Sequence, residues 1–320
     1  MHEKWNGIVA ALWTPMKSES ELDATALRTN VAFLKQQGIH GILALGSTGE
    51  FLYLSPALRK EVMQKVVACA DGLPVVCNIS DIRHKVVADL GKHAQSVGAS
   101  AVALLPPYYY SFAQADLVEW YVRAGEEVRL PLFIYNFPER TGNPLSLNTI
   151  EAITDQVPIA GIKQSGGDFS YHGSLAQLGR KKNFVVFTGS DTRIAEAMEL
   201  GACGCMGGLA NGIPDLMVEV YAAVRSGNVE RVRLCSERVS EVGHLVDTVG
   251  FPTNIAALIE ARGHSAGRLK SITSADTLNR FRRLKADLRD LFEKWGLSCN
   301  GHDGVAVVAA DSTTQQMASR

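Results

Sequence analysis

The 320-residue sequence contains no apolar run of about 18 residues, the length that a membrane-spanning helix requires. It also has no excess of either charge, because 32 Lys and Arg stand against 33 Asp and Glu. No run of basic residues occurs, and this disfavours binding to nucleic acid or to an anionic membrane. Residues 1–6 contain no apolar signal core, so we expect a cytoplasmic protein.

Cysteine is scarce and unpatterned. The six cysteines stand at positions 69, 77, 203, 205, 235 and 299. None of them forms a Cys-x-x-Cys pair, which disfavours a zinc site, and we predict no metal. In a chain of this length we expect reduced thiols rather than a disulfide framework. Cys77 and Cys205 lie in apolar runs, where cysteine behaves as a small buried side chain.

Short apolar runs, separated by segments of helical periodicity, are the dominant pattern. Eight runs recur at intervals of roughly 20–34 residues, the length of a βα unit. They are Ile8–Leu12, Ile42–Leu45, Val75–Cys77, Ala101–Leu105, Leu132–Tyr135, Ala160–Lys163, Phe184–Phe187 and Cys205–Gly207. Trp13-Thr14-Pro15 lacks the glycine-rich turn of an open dinucleotide-binding sheet. We therefore predict an α/β fold, a (β/α)8 TIM barrel with a C-terminal α-helical subdomain.

Helix signals lie between the runs and after the last of them. Ser55-Pro56 predicts a helix start, and Asp191 is expected to cap a helix that ends at Gly201. Beyond residue 226, valines at three-four spacing from Val229 to Val249 predict a long helix. Further helices are expected around Asn254–Ala261 and Ala275–Glu293. We divide the chain into a barrel (1–225), a helical subdomain (226–300) and an irregular tail (301–320).

Polar segments follow four of the predicted strands. They are Gly46–Glu50, Pro106–Tyr110, Tyr135–Gly142 and Gly161–Asp168. In a barrel enzyme, catalytic groups lie at the carboxyl ends of the strands and on the loops beyond them. These four segments are therefore expected to meet at one barrel mouth.

Lys163 ends the sixth run. Burial disfavours the charged form of an amine, and an uncharged amine is the form that attacks a ketone. The resulting iminium is an electron sink for the formation or cleavage of a carbon–carbon bond. By position alone, a lysine that reaches solvent is the commoner case, because lysine is almost never fully buried. The position of Lys163 in the sequence is therefore compatible both with a nucleophilic amine and with a lysine that reaches solvent.

The other segments have chemical and structural interpretations too. Tyr135 either passes a proton to a neighbouring reaction centre or fills the core. The Gly46–Glu50 turn either holds a carboxylate or caps a helix. Arg140 either binds a substrate carboxylate or forms a surface ion pair. The tyrosines at 108–110 cannot all face inward, and interface packing explains them as well as catalysis does.

Together, Gly46-Ser47-Thr48-Gly49-Glu50, Tyr135-Asn136-x-Pro138 and Gly161-Ile162-Lys163 resemble the dihydrodipicolinate synthase / N-acetylneuraminate lyase family of class I aldolases. The motifs match in order and spacing, and the resemblance extends from about residue 5 to residue 295. It implies a (β/α)8 barrel and a homotetramer built as a dimer of dimers. It also implies that no metal or organic cofactor is used beyond the covalent Schiff base through the lysine.

The resemblance assigns roles to individual residues. It implies Lys163 as the Schiff-base lysine, Tyr135 as the proton relay above it, and Thr48 as the next group in that relay. Tyr109 is expected to complete the relay from a partner subunit. These four residues form the predicted catalytic set.

A second set of residues is assigned to substrate binding. Ser47, Thr48 and Gly49 match positions that hold the carboxylate of pyruvate, and Met206 of the eighth strand is also assigned to the substrate. Arg140 matches the dihydrodipicolinate synthase branch, where an arginine orients the carboxylate of the aldehyde partner. Condensation of pyruvate with a carboxylate-bearing aldehyde such as aspartate semialdehyde is thus the leading hypothesis.

Two alternatives stay open. Ser47 stands where the synthase branch typically has threonine, and in this it resembles the sialic-acid lyase branch. Against that branch, Thr192 stands where the sialic-acid lyases have an acid. The chain could instead be an aldolase or dehydratase of another 2-oxo acid, such as 4-hydroxy-2-oxoglutarate or a 2-keto-3-deoxy sugar acid. A binder of small oxo acids without catalysis is the alternative of a different class.

Overall fold

Eight short parallel strands form the centre of the protein in a computed structural model that describes residues 5–297. They are β1 (Gly7–Ala11), β2 (Gly41–Ala44), β3 (Val75–Asn78), β4 (Ala101–Leu104), β5 (Leu132–Asn136), β6 (Gly161–Gln164), β7 (Val185–Thr188) and β8 (Gly204–Gly207). Each strand pairs with the next in chain order, and β1 pairs with β8. This closed sheet confirms the predicted (β/α)8 barrel. The predicted tail and Cys299 lie outside the described residues.

The strands are buried on both faces, as their continuous apolar runs predict. Every strand residue is buried except Val185, which is half-buried. The polar strand residues stand at the carboxyl ends, and they are Asn78, Asn136, Lys163, Gln164 and Thr188. The barrel therefore has an apolar body and one polar end.

Helices follow the strands and cover the outside of the barrel. They are α1 (Ala24–Gln36), α2 (Pro56–Ala70), α3 (His84–Ser96), α4 (Gln114–Glu127), α5 (Pro138–Thr141), α6 (Leu147–Thr154), α7 (Phe169–Lys182), α8 (Ile194–Glu199) and α9 (Pro214–Ser226). The predicted start at Ser55 is confirmed, since its side chain accepts a hydrogen bond from the Leu58 amide at 3.2 Å. Leu58, Val62 and Val66 are buried on the inner face of α2.

The prediction that Asp191 caps a helix is wrong. A 3-10 turn (Asp191–Arg193) precedes α8, whose N-cap is Arg193 without a side-chain hydrogen bond. The Asp191 carboxylate instead accepts hydrogen bonds from the amides of Gly208 and Leu209, both at 3.2 Å. Those amides stand at the start of the 3-10 turn Leu209–Asn211 after β8, so Asp191 joins two neighbouring loops.

Three further helices follow the barrel in the described part of the chain. They are α10 (Val229–Val246), α11 (Thr253–Ala261) and α12 (Ala275–Lys294). The first ends at Val246 rather than at Val249, because the sequence Asp-Thr-Val-Gly carries the chain into a turn. Helix α10 packs against α9 and the Asp191–Arg193 turn, and α11 packs against α12 and the Leu209–Asn211 turn. The C-terminal helices thus lie beside the polar end of the barrel.

No helix among residues 5–297 is long and apolar enough to cross a membrane.

Candidate active site

Lys163 and Tyr135 lie side by side on adjacent strands. They are register partners in the β5–β6 pair, and their side chains are only 5% and 1% exposed. Lys163 Nζ donates a hydrogen bond to Tyr135 Oη at 3.3 Å and lies 4.3 Å from the centre of the tyrosine ring. The lysine therefore does not reach solvent, as its position alone would suggest.

The hydroxyl group that is hydrogen-bonded to Tyr135 belongs to Ser47. The Ser47 Oγ and Tyr135 Oη atoms are 3.1 Å apart, so Ser47, Tyr135 and Lys163 form a chain of hydrogen-bonded polar groups. The sequence prediction gave this place to Thr48. Thr48 Oγ1 instead lies toward the loop after β8, where a Cβ atom at Gly208 would be 3.1 Å from it. The two adjacent hydroxyls therefore contact different parts of the site.

The Gly46–Glu50 turn is tightly constrained. Leu45 and Glu50 at its ends have φ angles of 60° and 55°, which are unusual for residues other than glycine. At Gly49, a Cβ atom would lie 2.9 Å from the carbonyl oxygen of Leu12. The turn therefore needs glycine at that position in order to approach the end of β1.

A cavity of about 390 Å³ opens at this end of the barrel. Of the predicted site residues, it is lined by Thr48, Tyr135, Arg140, Lys163 and Met206. Gly49 is buried and Ser47 is half-buried; neither lines the cavity, but Ser47 contacts the lining residue Tyr135. A larger cavity of about 540 Å³, between the β1–α1 and α11–α12 loops, contains none of these residues.

Arg140 stands at the mouth of the cavity with its charge uncompensated. It lies in the short helix α5, which Pro138 begins directly after β5. Its guanidinium carbon is 5.9 Å from the ring centre of Phe137 and 5.6 Å from that of Phe251. Among the described residues it has no carboxylate within salt-bridge distance. The two rings restrain the guanidinium, and its charge remains available to an anionic ligand.

Tyr109 does not line the cavity of its own chain. It is 88% exposed, has a φ of 81°, and its ring contacts that of Tyr110 at 4.9 Å. Asn143 holds the loop in place, because its amide donates to the carbonyls of Pro107 at 2.8 Å and Tyr110 at 2.7 Å. A role for Tyr109 in a partner subunit remains a prediction.

Several lining residues were not predicted from the sequence. The connection that follows α10 contributes Asp247 and Phe251, and the start of α11 contributes Asn254. A weak signal existed for Asn254, which is a polar residue at the start of the otherwise apolar segment Ile255–Ile259. Within residues 5–297, no group of three or more His, Cys, Asp or Glu side chains could hold a metal ion.

The sequence profile of the dihydrodipicolinate synthetase family matches residues 4–286. The chain belongs to this family. The resemblance seen in the motifs is thereby confirmed.

Similar proteins agree with membership of the dihydrodipicolinate synthetase family. An uncharacterised DapA-like lyase from Halobacterium salinarum is 32% identical over 288 residues, 89% of this chain and 94% of its own. A 4-hydroxy-tetrahydrodipicolinate synthase from Methanothrix thermoacetophila is 30% identical over 266 residues, 83% and 90% of the two chains. A dihydrodipicolinate synthase from Acinetobacter baumannii, solved with pyruvate, superposes with a TM-score of 0.81 at 28% identity, over 88% and 98% of the chains. Together these relatives support a lyase.

Proposed function

We propose that the chain is a Schiff-base-forming lyase that condenses pyruvate with a carboxylate-bearing aldehyde. One observation carries this proposal: a buried lysine amine is hydrogen-bonded to a tyrosine hydroxyl, which is hydrogen-bonded to a serine hydroxyl, beside a cavity. A binding protein without catalysis would not need a buried nucleophilic amine next to a proton relay. The similarity to lyases supports the same assignment.

The first half of the reaction forms the iminium. The Lys163 amine attacks the ketone carbon of pyruvate, and the carbonyl oxygen leaves as water after it is protonated through Tyr135. The iminium nitrogen then draws electrons from the pyruvate methyl group, which loses a proton to the deprotonated Tyr135 oxygen and gives an enamine. No metal is needed for this step, because the nitrogen cation itself is the electron sink.

The second half forms the carbon–carbon bond. The enamine carbon attacks the aldehyde carbon, and the aldehyde oxygen takes a proton from Tyr135, which Ser47 can supply in turn. Hydrolysis of the iminium releases the product and restores Lys163. In this scheme the residue that follows Tyr135 in the relay is Ser47, and Thr48 has the remaining role of holding the pyruvate carboxylate with the Gly49 backbone.

Arg140 is the group that selects the second substrate. Its guanidinium stands at the cavity mouth between two aromatic rings and has no internal ion pair in the described part of the chain. Arginine binds a carboxylate through two parallel hydrogen bonds, which also orient it. An aldehyde that carries a carboxylate, such as aspartate semialdehyde, is therefore expected to bind this site more tightly than a neutral aldehyde does.

A panel of aldehydes assayed with pyruvate tests this specificity. We expect Arg140→Ala to raise KM for carboxylate-bearing aldehydes by about 10- to 100-fold, the effect of losing a charged hydrogen bond. Arg193→Ala is the matched control, because Arg193 also lines the cavity but is paired with Glu196 at 2.7 Å. If Arg140→Ala left the turnover of every aldehyde unchanged, this assignment would be refuted.

Cleavage or dehydration of another 2-oxo acid is the second candidate. The observation that favours it is a wall of hydroxyl groups from Ser165, Ser190 and Thr192 along the cavity, suited to a hydroxylated substrate. Retro-aldol and dehydration assays with 4-hydroxy-2-oxoglutarate and 2-keto-3-deoxy sugar acids distinguish it. If one of these acids were turned over faster than the condensation proceeds, this second candidate function would be favoured over the condensation.

Tyr109 is assigned to the relay of a partner subunit in a homotetramer. Its exposed ring, which lies outside the cavity of its own chain, supports this assignment. Mixing Tyr109→Phe protomers with Lys163→Ala protomers tests it. In a mixed assembly, one site combines Lys163 of the first protomer with Tyr109 of the second, so activity returns only if the site is shared between subunits.

A further inference from the structure

We propose that Asp191 is the counter-ion of the cation that forms on Lys163, and thus a positioning residue of this site. The inference depends on the proposed Schiff-base reaction. It goes beyond that reaction because it assigns a role to a carboxylate that neither attacks nor binds the substrate.

Asp191 is fixed in place by the loop after β8. Its two oxygens accept separate hydrogen bonds, Oδ2 from the Gly208 amide and Oδ1 from the Leu209 amide, both at 3.2 Å. A Cβ atom at position 207 would overlap Oδ1, so only Gly207 leaves room for the carboxylate. A carboxylate used in this way has little freedom to turn toward a substrate hydroxyl.

The same carboxylate shares the cavity with the lysine, although the two charged groups are farther apart than a direct ion pair. Asp191 and Lys163 both line the cavity, and they come from loops and strands that are neighbours in the barrel. Gly189, two residues before Asp191, touches the lysine side chain, since a Cβ atom there would lie 3.2 Å from Lys163 Cε. Burial raises the pKa of Asp191 to about 6, and the Lys163 cation acts against that rise. The two groups therefore interact electrostatically.

The other charged groups around the cavity are less suited to this role. In the described part of the chain, the second lining carboxylate is Asp247, which is exposed at the rim. Of the remaining groups, Arg140 faces aromatic rings and Arg193 is paired with Glu196. The Cys205 thiol also faces Asp191, but burial raises its pKa well above the usual range and it stays neutral.

A counter-ion has a predictable effect on the reaction. Ammonium and iminium are both cations, whereas the attacking amine is neutral. An adjacent anion therefore stabilises the iminium relative to the free amine, but it leaves the equilibrium between ammonium and iminium almost unchanged. Loss of the anion should matter at high pH, where the free enzyme holds the neutral amine, and not at low pH.

The experiment is borohydride trapping of the pyruvate adduct in the full-length protein, measured as a function of pH and pyruvate concentration. Asp191→Asn keeps an oxygen acceptor for a loop amide and removes the charge. We expect its pyruvate affinity to fall about tenfold at the upper end of the pH range, where the free amine is neutral, and the pH at which trapping becomes fast to move down. Below pH 6 the two proteins should converge, because Asp191 is then protonated in the wild type.

Asp247→Asn is the matched control, and its pH profile should follow that of the wild type. A purely structural role for Asp191 would lower affinity equally at all pH values. That outcome, or profiles that superimpose, would overturn the counter-ion assignment. Absence of any adduct in the wild type would instead refute the proposed function. If Asp191→Asn does not fold, Asp191→Ser, which also keeps an oxygen acceptor, is measured in the same way.

Discussion

The ion pair between Lys270 and Glu50 provides a direct test of how the Gly46–Glu50 turn is held. The Nζ and Oε2 atoms are 2.7 Å apart, and the side chains are only 5% and 3% exposed. Lys270 Nζ also donates to the carbonyl of Thr14 at 2.7 Å and lies 4.3 Å from the ring centre of Trp13. The change Lys270→Met keeps a side chain of similar length and leaves the Glu50 carboxylate buried without its cation.

The expected cost follows from this burial. Removal of one partner from a buried ion pair destabilises a protein by about 3–5 kcal/mol, because the remaining charge is uncompensated. Burial lowers the pKa of Lys270 even though Glu50 opposes this, so desolvation is the larger effect on the lysine. The double change Glu50→Gln and Lys270→Met removes both charges, and we expect it to recover most of the lost free energy of unfolding.

Urea denaturation followed by tryptophan fluorescence measures these free energies. Lys17→Met is the matched control, because Lys17 pairs with Glu21 at 3.0 Å while both side chains are more than half exposed. An exposed pair of this kind contributes less than about 1 kcal/mol. If Lys270→Met were no more destabilising than Lys17→Met, the buried pair would not be what secures the turn. A double variant as unstable as the single one would show that the unpaired Glu50 is not the cause.

Three further outcomes are expected. Tyr135→Phe removes the relay hydroxyl but keeps the buried ring, so kcat should fall by about 10²- to 10⁴-fold while the thermal midpoint stays nearly constant; an unchanged kcat would exclude the relay. Gly49→Ala places a Cβ atom 2.9 Å from the Leu12 carbonyl, and we expect at least about 1 kcal/mol of destabilisation in urea together with weaker pyruvate binding. The pKa of Asp191 is raised from 3.8 to about 6 by burial, so the cost of ionising it is absent below pH 3.8 and fully present above pH 6. The stability of Asp191→Asn relative to the wild type should therefore rise by at most about 3 kcal/mol as the pH increases from 3.8 to above 6, and a thermal-melt series that shows no pH-dependent difference would contradict this.

The barrel could be predicted because each strand is buried on both faces and therefore has a continuous apolar run. The strand ends were displaced by at most one residue, as at β6, which was predicted over Ala160–Lys163 and lies over Gly161–Gln164. The closeness of Lys163 to Tyr135 follows from that pattern, since both residues stand near the ends of adjacent parallel strands. Burial of the lysine also depends on the loops and C-terminal helices around it, which the run itself does not specify.

Other parts of the site depend on geometry that a linear pattern does not contain. Which of two adjacent hydroxyls reaches Tyr135 is decided by the backbone of the turn, where Leu45 has a φ of 60°. Asp191 occupies a typical helix-capping position, but its carboxylate finds two amides in the next loop instead. Asn254 reaches the cavity from α11, which packs against the turn that follows β8.

The most direct test of the central claim is reduction of the protein with borohydride in the presence of pyruvate, followed by intact mass measurement and peptide mapping. We predict a gain of one reduced pyruvate per chain, located on Lys163 and absent in Lys163→Ala. A protein that gains no mass with pyruvate, or that gains it equally in Lys163→Ala, would contradict the assignment of this lysine as the Schiff-base residue.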